Sequence, residues 1–224
     1  MKSINRYERQ KRRCLFYAEK RIFLALLFVT LAAGGAFAQI QLSAGAGGNF
    51  AVNFDSYKYN GEDGGLMRTV GGGFFALFDA TYAEADVGLL FGGMKYGYDG
   101  EWNDDAINVI YLTLGLYGKY PIDMGGFGLF PMLGVQLDFG LSAKFDGDDL
   151  FEDSSYKADF MNRFWIKAGV GADFNLSEKL YLRPSFLYGI NFGSKIDRDE
   201  KKDDSEASSF HHGLDVRVAL GFKF

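Results

Sequence analysis

The sequence contains one cysteine and three prolines among 224 residues. A single cysteine excludes a disulfide framework. So little proline beside 30 glycines, with no G-X-Y period, excludes collagen. After residue 38 no apolar run approaches the ~20 residues that a helical membrane span requires, which excludes a polytopic helical membrane protein. Histidine is confined to His211 and His212. What is abundant is glycine and aromatic residues, the latter 17% of the chain, a composition incompatible with a solvated disordered polymer. The length leaves room for one domain.

The first 38 residues read as an address. Eight bases (Lys2, Arg6, Arg9, Lys11, Arg12, Arg13, Lys20, Arg21) stand among two acids, Glu8 and Glu19. Ile22–Gly35 is apolar, and Ala36-Phe37-Ala38 fits a small-residue cleavage site before Gln39. This is the three-part pattern of a secretory signal peptide cleaved after Ala38, too short in its apolar part to span as a helix. Cys14 lies inside the segment to be removed, so a lipoprotein anchor has no acceptor. The domains expected are therefore residues 1–38, signal peptide, and residues 39–224, one exported domain. Of 24 bases and 29 acids, cleavage leaves 16 and 27, a net charge of −11. Such a chain has no electrostatic footprint for nucleic acid.

Eight segments of the mature chain alternate with period two, the signature of strands with two unlike faces. They are 40–54, 69–82, 84–94, 106–120, 129–143, 160–174, 180–193 and 210–224. Pro184 falls inside the seventh, where a local break or bulge is expected. The connections alternate as well. Those at 55–68, 95–105, 144–159 and 194–209 are long and polar, and the other three are short. All long connections thus lie at one end of the sheet, the layout of a bacterial outer-membrane barrel.

A soluble barrel would place its apolar column inside, and the charges decide between the two. Of 43 charged residues in the mature chain, 28 fall in the long connections and three in turns. The other 12 share the polar face of strands: Asp79, Glu84, Asp86, Asp138, Asp173 and Asp215 against Lys119, Arg163, Lys167, Arg183, Arg217 and Lys223. None falls on the apolar face, where charge at mid-membrane costs ~2–4 kcal/mol. Six of each sign suits a narrow lumen in which buried charges must be paired. Aromatic residues sit mainly on the apolar face near strand ends, as two girdles. Phe78, Tyr82, Tyr120, Phe174 and Phe224 form one, and Phe54, Phe91, Phe139, Phe160, Phe164, Phe192 and Phe210 the other. The fold expected is all-β: an eight-stranded antiparallel up-and-down transmembrane β-barrel.

The last strand, Leu214-Asp-Val-Arg-Val-Ala-Leu-Gly-Phe-Lys-Phe224, together with the leader and the eight segments, resembles the small outer-membrane barrels of the OmpX and OmpA-barrel type. Val216, Val218, Leu220, Phe222 and Phe224 are similar to the C-terminal signal that such barrels present to the barrel-assembly machinery. The resemblance implies an outer-membrane location, lipid and assembly-machinery partners, and a monomer. It does not imply one function, since the architecture hosts adhesins, enzymes and narrow pores.

Chemistry is sparse. Some barrels of this size modify lipid A, which calls for Ser and His with a carboxylate at the bilayer face. Here Ser209 and His211 are two apart on the lumen face, with His212 toward lipid, and a polar loop edge is the simpler reading. No catalytic residue and no cofactor is expected. The acids at 146–153 and 197–206 do not match a D-x-D-x-D-G calcium spacing, so no metal site is expected either. An interior just wide enough for side chains disfavours a general porin but leaves a narrow gated pore open. Tyr57, Tyr59, Tyr96, Tyr98, Trp102, Phe145, Phe151 and Tyr156 stand among acids in the long connections. They suit either contact with an extracellular ligand or packing onto the barrel rim. The expected role is structural or surface-interacting, with a narrow pore or a lipid A-modifying enzyme as alternatives.

Overall fold

The computed structural model describes residues 40–59, 62–99, 101–151, 154–192 and 207–224. The expected leader, residues 1–38, lies outside them. Eight long strands follow in order: β1 (Leu42–Tyr59), β2 (Glu62–Ala80), β3 (Ala83–Tyr98), β4 (Ile107–Lys119), β5 (Phe127–Phe145), β6 (Arg163–Asn175), β7 (Leu180–Asn191) and β8 (Ala207–Lys223). Each pairs antiparallel with its neighbour in sequence. β1 also pairs with β8, Ser43 opposite Lys223 through Tyr59 opposite Ala207, and this closes the ring. Closure is what permits a sheet to stand in lipid, because it leaves no edge with unpaired N–H and C=O groups.

The side chains are partitioned inside out relative to a soluble protein. Along β3, Glu84, Asp86, Gly88 and Leu90 are buried while Ala83, Ala85, Val87, Leu89 and Phe91 are exposed. Phe74 is 72% exposed and Leu133 61%, whereas Arg217 is 4% exposed. Exposed rings against buried guanidinium is stable only where the outside solvent is hydrocarbon. Val216, Val218, Leu220, Phe222 and Phe224 all lie on the exposed wall.

The strands run further toward the loop end than their hydrophobic pattern. β1 continues to Tyr59 and β2 begins at Glu62, so most of the stretch expected as a loop at 55–68 is ladder. β3 reaches Tyr98, and Glu101–Trp102 adds two more paired residues against it. These strands are 16 to 19 residues long, more than the ~9–11 that cross a membrane, and the excess projects as a rim. Period-two contrast fades there because the outer face leaves the hydrocarbon while inward positions such as Met94 are apolar. Among charges expected in loops, Arg68 and Lys95 thereby become outward-facing strand residues, and Lys58 and Lys144 likewise become exposed strand residues. The expectation that no charge occupies the outer wall is corrected at its upper edge.

The segment expected to open the sixth strand is instead a helix, α1 (Ser154–Met161), and β6 begins only at Arg163. Phe160, expected in the lipid-facing girdle, packs inward. It lies against Phe151, ring centroids 5.3 Å apart, and borders a buried cluster of Ala51, Leu90, Met94, Val109, Tyr111, Ala143 and Met161. The loop end of the lumen is thus closed by apolar packing. Pro184 breaks pairing with β6 locally, since Leu182 pairs Phe174 and Ser185 pairs Gly171 with nothing between. Register is kept and pairing with β8 is continuous, so the result is a break and not a bulge. The register does shift between Ile110 and Tyr111 of β4, opposite the extra residue Leu141.

Glycines make room for large inward rings. A methyl group at Gly134 would collide with the Leu116 carbonyl oxygen and stand 2.6 Å from the Tyr117 ring. At outward Gly48 the nearest atom is the Gly73 carbonyl oxygen, 3.5 Å away. Gly134→Ala is therefore expected to lower the stability of the folded barrel by about 1–3 kcal/mol. Gly48→Ala should leave it within about 0.5 kcal/mol. Urea unfolding in micelles, followed by heat-modifiable gel migration, measures both.

Candidate functional site

Among the described residues the largest convergence of chemistry-bearing side chains is in the interior, and three layers of it can be built from the strands. At the short-turn end, β7 sends Arg183 across the lumen. Its guanidinium bonds Asp79 of β2 and Glu84 of β3. Through Nε and Nη2 it also donates to the two carboxylate oxygens of Asp173, at 2.6 and 2.7 Å. Lys119 of β4 pairs with Asp79 as well. The Phe130 and Tyr181 rings lie 4.9 and 4.8 Å from the guanidinium carbon of Arg183. The strands place these groups here by alternation alone: each is at the inward position of its ladder.

The middle layer is built on Arg217 of β8. Its Nη1 donates to Asp86 at 2.6 Å and its Nε to Asp215 at 3.0 Å. Its Nη2 reaches the Tyr117 hydroxyl and the Gln136 amide oxygen, both at 3.1 Å. Lys167 donates to Gln136 at 2.9 Å and Asp215 at 3.2 Å. Asp138 accepts from Gln136 and from the Trp165 indole, each at 2.6 Å. The cavity among Asn49, Phe75, Gln136, Trp165 and Arg217 offers about 10 Å³ to the centre of a water molecule, space for roughly one.

The third layer lies beneath the loop end. Asp55 of β1, 0% exposed, receives Arg163 at 3.1 Å and the His211 Nδ1–H at 2.9 Å. Tyr57 stands edge-on to the His211 ring at 5.6 Å.

Ten of the 12 charges expected to point inward are buried there: Asp79, Glu84, Asp86, Lys119, Asp138, Arg163, Lys167, Arg183, Asp215 and Arg217. Asp173 is half-buried at the rim and still pairs with Arg183. Lys223 lies at the open short-turn end, donating to the Asn175 amide oxygen at 2.7 Å, and does not join the network. Asp55 was missed because it lies just past the apolar pattern of β1. The alternation Ala51, Asn53, Asp55 would have found it, and its inclusion removes the equality of six acids and six bases. His211 faces inward, whereas His212 faces outward, stacked between Phe54 and Phe210 at 5.4 and 5.2 Å. Ser209 is not part of any bonded Ser–His–Asp arrangement among the described residues. Nor do those residues hold a group of three His, Cys, Asp or Glu side chains fit for a metal. The acids at 152–153 and 197–206 lie outside them.

Several loop aromatics prove to be rim packing. The Tyr96 hydroxyl donates to the Gly64 carbonyl at 2.9 Å, Trp102 lies beneath Arg68, and Phe151 lies on Phe160. Tyr98 and Phe145 remain exposed, as does much of the Tyr96 ring.

Removing one member of a buried ion pair strands the others, at a cost of about 3–5 kcal/mol. Arg217→Met is expected to destabilise the barrel by that amount, because it leaves Asp86 unpaired beside a weakened Asp215. Lys223→Met at the wet rim should change stability by less than about 1 kcal/mol. Urea titration of both variants in lipid vesicles checks the contrast.

Comparison with known proteins agrees with this architecture. The sequence profile of the family described as "Outer membrane protein beta-barrel domain" matches residues 23–222. A search of the curated proteins found no match. Among solved structures, Neisserial surface protein A is similar at 10% identity and a TM-score of 0.47, covering 82% of this chain and 97% of that one. Ail of Yersinia pestis, solved with a heparin analogue, gives 12% identity and 0.39, over 84% and 100%. The outer membrane protease OmpT of Escherichia coli gives 7% and 0.40, over 84% and 99%. With a closed eight-stranded ring, an apolar outer wall and a charged interior, the chain belongs to the outer membrane protein beta-barrel domain family and resides in the outer membrane.

Proposed function

We propose that this protein is a non-conducting outer-membrane barrel whose work is done at its outer rim, as a structural or adhesion-like surface element. The observation that carries the reading is the filled lumen. Three layers of cross-barrel ion pairs and an apolar closure at the loop end leave room for about one water in the cavity between them. A narrow gated pore would have to separate these buried pairs and leave charges uncompensated in the lumen, so the pore reading is the weaker one. Lipid A modification lacks support as well, because His211 is held inward on Asp55.

The rim offers the opposite character. Exposed residues there include Asp99, Glu101, Asp104, Asp105, Asp146, Asp148 and Asp149, with the side chains of Tyr98, Phe145 and Leu150 between them. Acidic ground with exposed aromatic anchors suits a basic protein surface as extracellular partner. Assembly through the exposed Val216–Phe224 wall, insertion after removal of residues 1–38, and a monomeric state belong to the same proposal.

Cells displaying the barrel are expected to attach to surfaces coated with a basic matrix protein better than cells without it. Attachment should fall to background when residues 99–105 and 146–150 are replaced by short Gly-Ser turns at unchanged surface amount. Attachment that survives both replacements overturns the rim reading. Planar bilayers containing the purified barrel are expected to show no conductance steps above background, and regular steps would return the pore.

A further inference from the structure

Two cations stand where the apolar outer wall ends. On β2 the outward residues are Phe78, Ala76, Phe74, Gly72 and Val70, and the next is Arg68. On β3 they are Ala85, Val87, Leu89, Phe91 and Gly93, and the next is Lys95. Ten residues separate Phe78 from Arg68 and Ala85 from Lys95. At ~3.3 Å per residue and a tilt of ~40°, that is about 25 Å of membrane height, the height of the apolar band of such barrels. Phe78 belongs to the girdle at the short-turn end, so both cations lie at the opposite boundary. In this barrel class the long-loop end faces outward, which puts them at the depth of outer-leaflet headgroups.

Arg68 and Lys95 are directly opposite one another in the β2–β3 ladder. Like charges so placed repel, and among the described residues no carboxylate pairs with either of them. The Lys95 ammonium donates to the backbone carbonyl of Asp104, at 2.8 Å. The Arg68 guanidinium lies over the Trp102 ring at 4.6 Å, and its Nε is buried with no hydrogen-bond partner. Among the described residues neither makes an ion pair. Both are half-buried and held in place. The Glu101–Trp102 pairing folds the loop back on β3, and Gly97 leaves the space in which the Trp102 ring lies. Trp102 therefore orients Arg68 without neutralising it. Two half-buried cations, each held by a contact to the Glu101–Asp104 segment and facing the bilayer at headgroup depth, are complementary to phosphate, which accepts charge-assisted bonds from both Arg and Lys.

We propose that Arg68 and Lys95, with Trp102 beneath the guanidinium, form a docking site on the outer wall for the phosphate of a phosphorylated outer-leaflet glycolipid. The proposal rests on the barrel's place in the outer membrane and not on the rim reading above, so either can fail alone.

The test uses the full barrel refolded into phosphatidylcholine nanodiscs, with lipid adducts counted by native mass spectrometry. The probes are bis-phosphorylated lipid A and the same lipid with its phosphates removed. The intact barrel is expected to retain the phosphorylated form preferentially. Arg68→Gln with Lys95→Gln should reduce that retention by roughly tenfold or more, while Lys144→Gln, an exposed base at the same end two strands beyond Lys95, should not. The charge-keeping pair Arg68→Lys with Lys95→Arg should restore most of it. Unchanged retention in the double variant, or equal retention of the dephosphorylated lipid, overturns the proposal. So does an equal loss in Lys144→Gln, which would show diffuse attraction, or displacement by inorganic phosphate alone, which would make the ligand a free anion. Should the double variant fail to fold, the comparison of the two lipids on the intact barrel still decides.

Discussion

Everything in this barrel depends on charge being held across a narrow interior. Arg183 on β7 and Glu84 on β3 come from strands four apart in a ring of eight, diametrically opposed. Arg217 on β8 bonds Asp86 on β3, and Arg163 on β6 forms an ion pair with Asp55 on β1, each pair three strands apart. These are struts. A sheet whose outer face dissolves in lipid sends most of its large apolar residues outward, away from one another, and keeps only small apolar clusters inside to fix its cross-section. Direct contacts between opposite walls must do that work. Arginine is suited to it, since a planar fork of donors can hold carboxylates from two walls at once.

The struts in turn dictate composition. Guanidinium groups and indole or phenol rings in the same narrow space require neighbours with no side chain at all, which is why Gly134 faces Tyr117 and Gly221 faces Tyr181. They also dictate rigidity. An interior whose donors and acceptors are interlocked resists opening, because opening strands several partners together.

How much of this the sequence discloses depends on where the contrast between the two faces is strongest. Through the membrane, one face meets hydrocarbon and the other a charged lumen, and residues 84–91 alternate without a flaw. Strand number, closure and the inward set from Asp79 to Arg217 are legible for that reason. Past the bilayer the contrast fades. Asp55, Arg68 and Lys95 then look like loop charges, although backbone pairing continues through all three. The interior changes character there too. Leu90 and Met94 point inward beside outward Phe91, so apolar residues occupy both faces and period two is lost. The helix at Ser154–Met161 has no apolar stripe of its own to announce it. Met161 is buried by the barrel mouth it fills, a tertiary effect invisible in local pattern.

The loop end therefore carries two opposed electrostatic surfaces a short distance apart. Its upward face is acidic, with Asp99, Asp104, Asp146 and Asp148 in water, while Arg68 and Lys95 face sideways into the membrane boundary. A random scatter of rim charge would not sort by direction. Sorting is what the surroundings impose: the headgroup layer is anionic and rewards cations on the wall, and the acids, repelled by it, are stable only where they project beyond it. Basic residues on the wall with acidic residues above it are the distribution that an anionic headgroup layer favours.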